Sequence, residues 1–239
     1  MPKVQAAEAE RSALVFGASG AIGGEIFAHL GQEFSNTLGV SRQAVKHSGP
    51  FLKWTLADQF SKSDFGSIDK LHAVVWAQGA NCNDTIYDCD PRRHREMYEA
   101  NVFYIIESLR QLLDLGLITD GARLCIISSI WQEIARQNKL SYTVTKSALR
   151  GLVQSLAIDL GEKNILVNAV LPGALDTPMT RANLSSAQIK KIEGDTPLHT
   201  LPKFEDVCAL VSFLCSNKNT GITGQFIAAD RGYSFVRSI

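Results

Sequence analysis

The stretch SALVFGASGAIGG, residues 12–24, decides the architecture. Five residues suited to a buried strand run into Gly17, Gly20 and Gly23, spaced three apart, at the start of a helix-like segment. Glycine has no Cβ, so the backbone can turn tightly and an anion can approach the free N–H groups at a helix start. A strand that ends in such a turn is the first half of a βαβ unit, and a pyrophosphate-binding loop is its functional reading. The spacing departs from a strict GxGxxG, so a plain tight turn is the alternative.

Working outward, short apolar runs alternate with longer amphipathic ones. Strands are expected at 12–16, 37–41, 70–77, 122–129, 165–171 and 225–229, with a weaker one at 51–55. Several are apolar throughout, as strands covered on both faces tend to be. Asp90-Pro91 reads as an N-cap followed by proline at the first helical position, opening a helix to about Leu115. Further helices are expected over 142–161 and 205–215, from apolar residues at three- and four-residue spacing. The prediction is a Rossmann-like, doubly wound α/β domain over 12–239. It has a mainly parallel sheet of about seven strands with helices on both faces, behind a flexible extension at 1–11.

Composition excludes several classes. Of 239 residues 45% are hydrophobic, and 24 basic residues balance 24 acidic ones. No global charge is available to hold nucleic acid or an anionic membrane. Arg92, Arg93, His94 and Arg95 cluster at a helix start, where a solvated or interfacial face is expected. Cys82, Cys89, Cys125, Cys208 and Cys215 are odd in number and form no CxxC pair, which suits neither a disulfide framework nor a zinc site. The opening MPKVQAAEAERS lacks the apolar core of a signal peptide, so a cytoplasmic setting is expected.

Two local patterns carry chemistry. The second strand ends in Ser41-Arg42, with no acid between Phe34 and Pro50. An Asp or Glu there would bond the ribose of NAD, whereas Arg42 with Ser41 suits the 2′-phosphate of NADP. NADP is therefore the expected cofactor, ahead of NAD. In SYTVTKSAL, 141–149, Tyr142 and Lys146 lie four apart on one helix face. A nearby ammonium should ease ionisation of the phenol and make it a proton donor and acceptor near neutral pH.

Together these pieces resemble the short-chain dehydrogenase/reductase family in its small single-domain form, over roughly 12–232. GASGAIG is similar to the cofactor loop TGxxxGxG, EANVF holds Asn101 where the family keeps its active-site Asn, and ISS (127–129) ends in the catalytic Ser position. Ser129 precedes Tyr142 by 13 residues, YTVTK fits YxxxK, VNAVLPGALDT (167–177) fits VNxxxPGxxxT, and ITGQFIAADRG (222–232) resembles TGQxxxxDGG. The resemblance implies hydride transfer between a nicotinamide and a carbonyl or secondary alcohol, with Asn101, Ser129, Tyr142 and Lys146 as the catalytic set. Tyr142 would exchange the proton and Lys146 would lower its pKa and hold the nicotinamide ribose. Ser129 would hold the substrate oxygen, and Asn101 would anchor a relaying water. Cofactor contacts are implied at Gly17, Ser19, Gly20, Ala21, Ile22, Gly23, Ser41, Arg42, Thr55, Leu56, Ala77, Gly79, Asn101, Tyr142, Lys146, Pro172, Gly173 and Thr177, and no metal is required. A homodimer or homotetramer through the two long helices is also implied.

Departures from the pattern concentrate at the adenosine end. Phe16 replaces a Thr whose hydroxyl ties the loop down, Ala21 replaces a Gly, WAQG (76–79) replaces NNAG, Thr55 stands where an Asp contacts adenine, and Arg231 interrupts the terminal DGG. The substrate is expected to meet the polar loop 130–141, with Gln132, Glu133, Arg136, Gln137 and Asn138 beside Trp131, under a short capping helix within 178–197. That loop suits a sugar- or polyol-like substrate. Two rival readings stay open: a non-enzymatic NADP-sensing protein on this fold, and a nucleotide-sugar epimerase or dehydratase, for which the segment after the PG motif is short.

Overall fold

A computed structural model describes residues 10–43, 49–177, 180–181 and 184–236. The expected flexible extension falls, apart from residues 10 and 11, outside the described residues. Arg11 is tied down, stacking 4.5 Å over the Phe34 ring and donating to the Cys215 carbonyl at 3.1 Å.

Seven strands form one sheet, every neighbouring pair parallel. They are β1 (Ser12–Phe16), β2 (Asn36–Ser41), β3 (Phe51–Lys53), β4 (Leu71–Trp76), β5 (Ile118–Ile127), β6 (Leu166–Pro172) and β7 (Phe226–Ala229). The spatial order is β3-β2-β1-β4-β5-β6-β7. From β1 the chain winds outward in one direction and from β4 in the other, so a crevice opens between their carboxyl ends. That crevice is where the fold makes room for a ligand.

Among the described residues the α-helices are α1 (Ala21–Leu30), α2 (Pro91–Tyr98), α3 (Tyr104–Asp114), α4 (Leu140–Asp159), α5 (Ser186–Asp195) and α6 (Phe204–Cys215). Alternate residues of each strand face opposite layers, which explains why the strands are apolar throughout. Leu14, Phe16, Val74, Trp76, Leu124 and Ile126 pack with Ile105 and Leu109 of α3 and Leu149 and Val153 of α4. Ala13, Val15, Ala73, Val75, Cys125 and Ile127 pack with Ile26 and Leu30 of α1 and Val207 and Val211 of α6.

Two expectations need correction. The helix over 91–115 runs as expected but not as a regular α-helix: a π turn at Glu99–Phe103 lies between α2 and α3. Local periodicity does not reveal one extra residue in a turn. Strand β5 also begins four residues before the expected position. Leu71 pairs with Ile118 but Ala73 pairs with Arg123, so the register jumps across Gly121, whose φ of +77° suits only glycine without strain. The Asp90 cap holds as read: its carboxylate accepts from the Arg92 N–H at 2.9 Å, with Pro91 next.

Candidate active site

The crevice has two ends, and the glycine turn forms the floor of one. Gly17 has φ +74°, and a Cβ there would lie 2.6 Å from the Gln78 nitrogen; a Cβ on Gly23 would lie 2.2 Å from the Gly17 carbonyl oxygen. The turn is pressed between β4 and α1, and only glycine fits. Its backbone is secured by Gly17 N–H to Val40 O at 2.9 Å and Gly20 N–H to Gly17 O at 2.9 Å, so the hydroxyl lost at Phe16 is not needed. Gly20 caps α1 without a side-chain bond, which leaves the N–H groups of the first turn, at Ala21 and Ile22, available to an anion.

Above the turn the groove is lined by Gly17, Ser19, Gly20, Val40, Ser41, Arg42, Ala77, Gln78, Gly79 and Tyr104. Ser19 and Ser41 share a hydrogen bond of 2.9 Å between their hydroxyls. Arg42 is exposed beside them. The Tyr104 phenol is pushed well above its ordinary value by burial, with the Arg42 charge working the other way. Behind the groove, Phe16 stacks on Trp76 with centroids 5.6 Å apart and planes 3° apart, and meets Tyr104 edge-on at 5.8 Å. Trp54 stacks on Phe60 at 4.7 Å. The two departures at Phe16 and Trp76 are therefore one packed unit.

Thr55 and Leu56 do not line this groove. The Thr55 N–H and hydroxyl both donate to Asp58 at 2.8 Å, and Leu56 packs against the core. Tyr104 and Gln78 do line it, and the sequence reading did not single them out. Both atoms of the Gln78 amide are buried without a hydrogen-bond partner, an expensive state for a native side chain. An orphaned amide, an uncapped helix start and a glycine cradle fit a dinucleotide phosphate.

At the other end, Asn101, Ser129, Tyr142 and Lys146 converge. Lys146 is buried at the inner face of α4 and donates to the Ile127 carbonyl at 3.1 Å; burial pushes its ammonium down to about 8. Its Nζ lies 5.8 Å from the Tyr142 ring centroid. Burial pushes the Tyr142 phenol up, and the Ser129 hydroxyl opposes that shift. The expected lowering by Lys146 is therefore corrected: removal of both groups from water dominates over their mutual effect. Ser129, at the end of β5, accepts from the Trp131 N–H at 3.3 Å.

Asn101 sits on the π turn and is 1% exposed. Its Oδ1 accepts from the Ala80 N–H at 2.7 Å, and its Nδ2 donates to Ala80 O at 3.1 Å and Thr145 Oγ1 at 2.9 Å. The amide thereby clamps the end of β4 to α4. Gly79 keeps that junction close, since a Cβ there would be 3.0 Å from Asn101 Oδ1 and 3.6 Å from Lys146 Nζ.

A second clamp was not foreseen. Asp84, buried in the loop after β4, accepts from the Ser141 N–H at 3.0 Å and from the Ser141 hydroxyl, and so caps α4 from outside that helix. Burial alone would raise its carboxyl, but the Ser141 bonds, together with those from the Cys89 and Cys82 thiols, outweigh it and hold the group below the usual range. His94 Nδ1 lies 2.8 Å from the same hydroxyl.

The remaining site positions follow β6. Gly173 donates to Ala229 O at 3.2 Å, and a Cβ on it would be 2.9 Å from that of Asp230. Thr177 is buried and accepts from the Thr180 N–H at 3.0 Å. Arg231, the departure in the terminal motif, has φ +56° and grips Asp206 of α6 at 2.8 Å. In the polar loop, Gln132 bonds Ser128 at 2.8 Å, and Glu133 is taken by Arg150 at 2.8 Å and by Gln132 at 2.9 Å. Gln132 thus braces the loop from within, and Glu133 ties it to α4.

Comparison with known proteins adds an independent line. Residues 55–234 match a family model described as Enoyl-(Acyl carrier protein) reductase. The chain is 33% identical over 178 residues to the 7alpha-hydroxysteroid dehydrogenase of Escherichia coli (strain K12), covering 74% of this chain and 68% of that one. It is 29% identical over 178 residues to the L-rhamnose 1-dehydrogenase (NADP(+)) of Thermoplasma acidophilum, covering 73% and 69%. Among solved structures, a short chain dehydrogenase family protein from Francisella tularensis subsp. tularensis SCHU S4 superposes with a TM-score of 0.82 at 26% identity, over 95% of this chain and 99% of that one.

Proposed function

The chain belongs to the short-chain dehydrogenase/reductase family of oxidoreductases, and from that premise we propose that it transfers a hydride between NADP(H) and a small polar carbonyl compound or the corresponding secondary alcohol. The observation that carries this reading is the meeting of Ser129, Tyr142, Lys146 and Asn101 at the end of the crevice opposite the glycine turn.

When bound, the cofactor would supply or accept the hydride; the remaining tasks belong to side chains. Tyr142 gives its hydroxyl proton to the carbonyl oxygen in reduction and takes it back in oxidation. The Ser129 hydroxyl donates to the same oxygen, where negative charge develops. Lys146, anchored on the Ile127 carbonyl with its Nζ 5.8 Å from the Tyr142 ring centroid, would hold the cofactor ribose, and Asn101 keeps the loop after β4 against it. The first turn of α1, Ser19, Ser41 and Arg42 would hold the phosphates, while Ala77, Pro172, Gly173 and Thr177 would frame the rest of the cofactor.

The preference for NADP rests on Arg42 beside Ser41. Titration of the protein with NADPH and with NADH, followed by fluorescence, tests it. NADPH should bind tighter by about ten- to hundredfold, the range of one charge-assisted contact, and Arg42→Ala should abolish the difference. Equal affinities would refute that role of Arg42 while leaving the chemistry of Tyr142 intact.

The names of the relatives speak of steroid and sugar substrates, so fold alone does not select one. A sugar- or polyol-like compound suits the remaining polarity of the loop. Tyr98, Phe103 and Ile106 along α2 and α3, with Val144 and Ile158 on α4, are exposed apolar groups, which supports assembly into a homodimer or homotetramer through these helices. Among the described residues no helix is long and apolar enough to cross a membrane, and all five cysteines are free thiols, which favours a reducing cytoplasmic setting.

A further inference from the structure

Once the internal bonds of the 130–139 loop are assigned, two of its cations stand without an ion-pair partner. Arg136 is exposed, with its guanidinium 5.9 Å from the Trp131 ring centroid. Lys139 is half-buried, with Nζ 5.6 Å from the Tyr142 ring centroid. Among the described residues neither makes an ion pair. Asp84 is close enough to act on Lys139 and favours its charge, but it forms no ion pair with it and its oxygens accept from Ser141.

The Lys139 ammonium is also aimed. It donates to Asn81 Oδ1 at 2.7 Å and to the Cys82 carbonyl at 3.2 Å, which uses two of its three protons and leaves one free. Burial and the neighbouring Arg136 charge both disfavour its ionised form. Lys139 is thus held near the Tyr142 ring, with Arg136 close enough for the two cations to repel each other, and the proton-transfer role of Lys146 requires neither of them. A bound anion would relieve their repulsion and engage the remaining donors.

We propose that Lys139 and Arg136 form a subsite for an anionic group of the substrate, a carboxylate or a phosphate, so that the substrate is a small acidic carbonyl compound or its alcohol. The inference rests on the reading of Tyr142 as the proton donor, because the subsite is defined by its distance from that ring.

The test compares matched pairs on the full-length protein with NADPH: 4-oxopentanoate against its methyl ester, and dihydroxyacetone phosphate against dihydroxyacetone. The charged member of one pair should be favoured in kcat/KM by about tenfold or more, chiefly through KM, and the pair concerned tells carboxylate from phosphate. Lys139→Met and Arg136→Gln should each shrink that preference severalfold, and Lys139→Arg should keep most of it. Tryptophan fluorescence titrated with pentanoate and with inorganic phosphate reads the subsite without turnover. A protein that reduces no carbonyl but shows anion binding lost in both variants would break the redox reading and leave the subsite standing. Equal use of charged and neutral members, a preference that survives both substitutions, or, without turnover, no anion-dependent signal would overturn the proposal.

Discussion

At the Tyr142 end of the crevice the polar side chains are held by named partners, while at the Arg42 end the wall behind the groove is a stack of aromatic rings. Asn101 clamps Ala80 and Thr145, and Lys146 is anchored on Ile127. By contrast, Phe16, Trp54, Phe60, Trp76 and Tyr104 meet through ring faces and edges. Proton chemistry requires particular atoms at particular distances, so it leaves a readable spacing in sequence. Packing requires only that volume be filled, so two changes can compensate each other while each looks like a loss. Phe16 and Trp76 read separately as missing hydrogen-bonding groups; face to face they are a single replacement.

The largest expected effect separates the two ends by function. Tyr142→Phe should lower turnover by about 10²–10⁴-fold, the usual worth of a positioned acid, with NADPH affinity and melting temperature nearly unchanged. Stopped assays under saturating cofactor would measure it, and near-normal turnover would remove Tyr142 from the mechanism.

The second effect should appear in stability. Phe16→Thr and Trp76→Asn should each cost about 3–5 kcal/mol in urea unfolding, because each leaves a hole in a fully buried cluster. The double variant should cost less than the sum, by about 0.5–1.5 kcal/mol for the shared ring contact. Strict additivity would mean the two rings are independent after all.

The third effect carries a sign that depends on pH. The folded pKa of Lys146, about 8, lies below the ordinary 10.5. Its penalty is therefore absent above the unfolded value, grows as pH falls between the two, and is complete below about 8. Lys146→Met should then stabilise the cofactor-free protein at pH 7, by at most about 3 kcal/mol and by less once the lost bond to Ile127 is counted. The gain should vanish near pH 11. A variant equally destabilised at both values would show that Lys146 is bound mainly by packing.

Much of the architecture was legible because strands buried on both faces must be apolar throughout, and a strand, glycine turn and helix leave few topologies. That Ser129, Tyr142 and Lys146 would lie near one another was legible from their spacing along β5 and α4. Other features depend on contacts between distant segments. Asp84 is unremarkable until the fold brings it to Ser141, 57 residues away. Tyr104 looks like any apolar helix residue, and Gln78 like a polar loop residue, until both line the groove. Thr55 shows the converse: it stands at the expected position, yet its hydroxyl is spent on Asp58.

The π turn at Glu99–Phe103 has a consequence for how this chain tolerates change. It amounts to one surplus residue in an otherwise regular helix. Deleting that residue would yield a smoother helix, but everything beyond it would rotate by about 100° relative to α2. Either Asn101 would leave Ala80 and Thr145, or the apolar face of α3 would leave the sheet. Single-residue deletions should thus be far more harmful here than at the loop tips, although nothing in the segment's propensity marks it as fragile. The irregularity works as a setting screw: it lets α3 pack against the sheet while Asn101 reaches Ala80 and Thr145, two demands that an unbroken helix cannot meet at once.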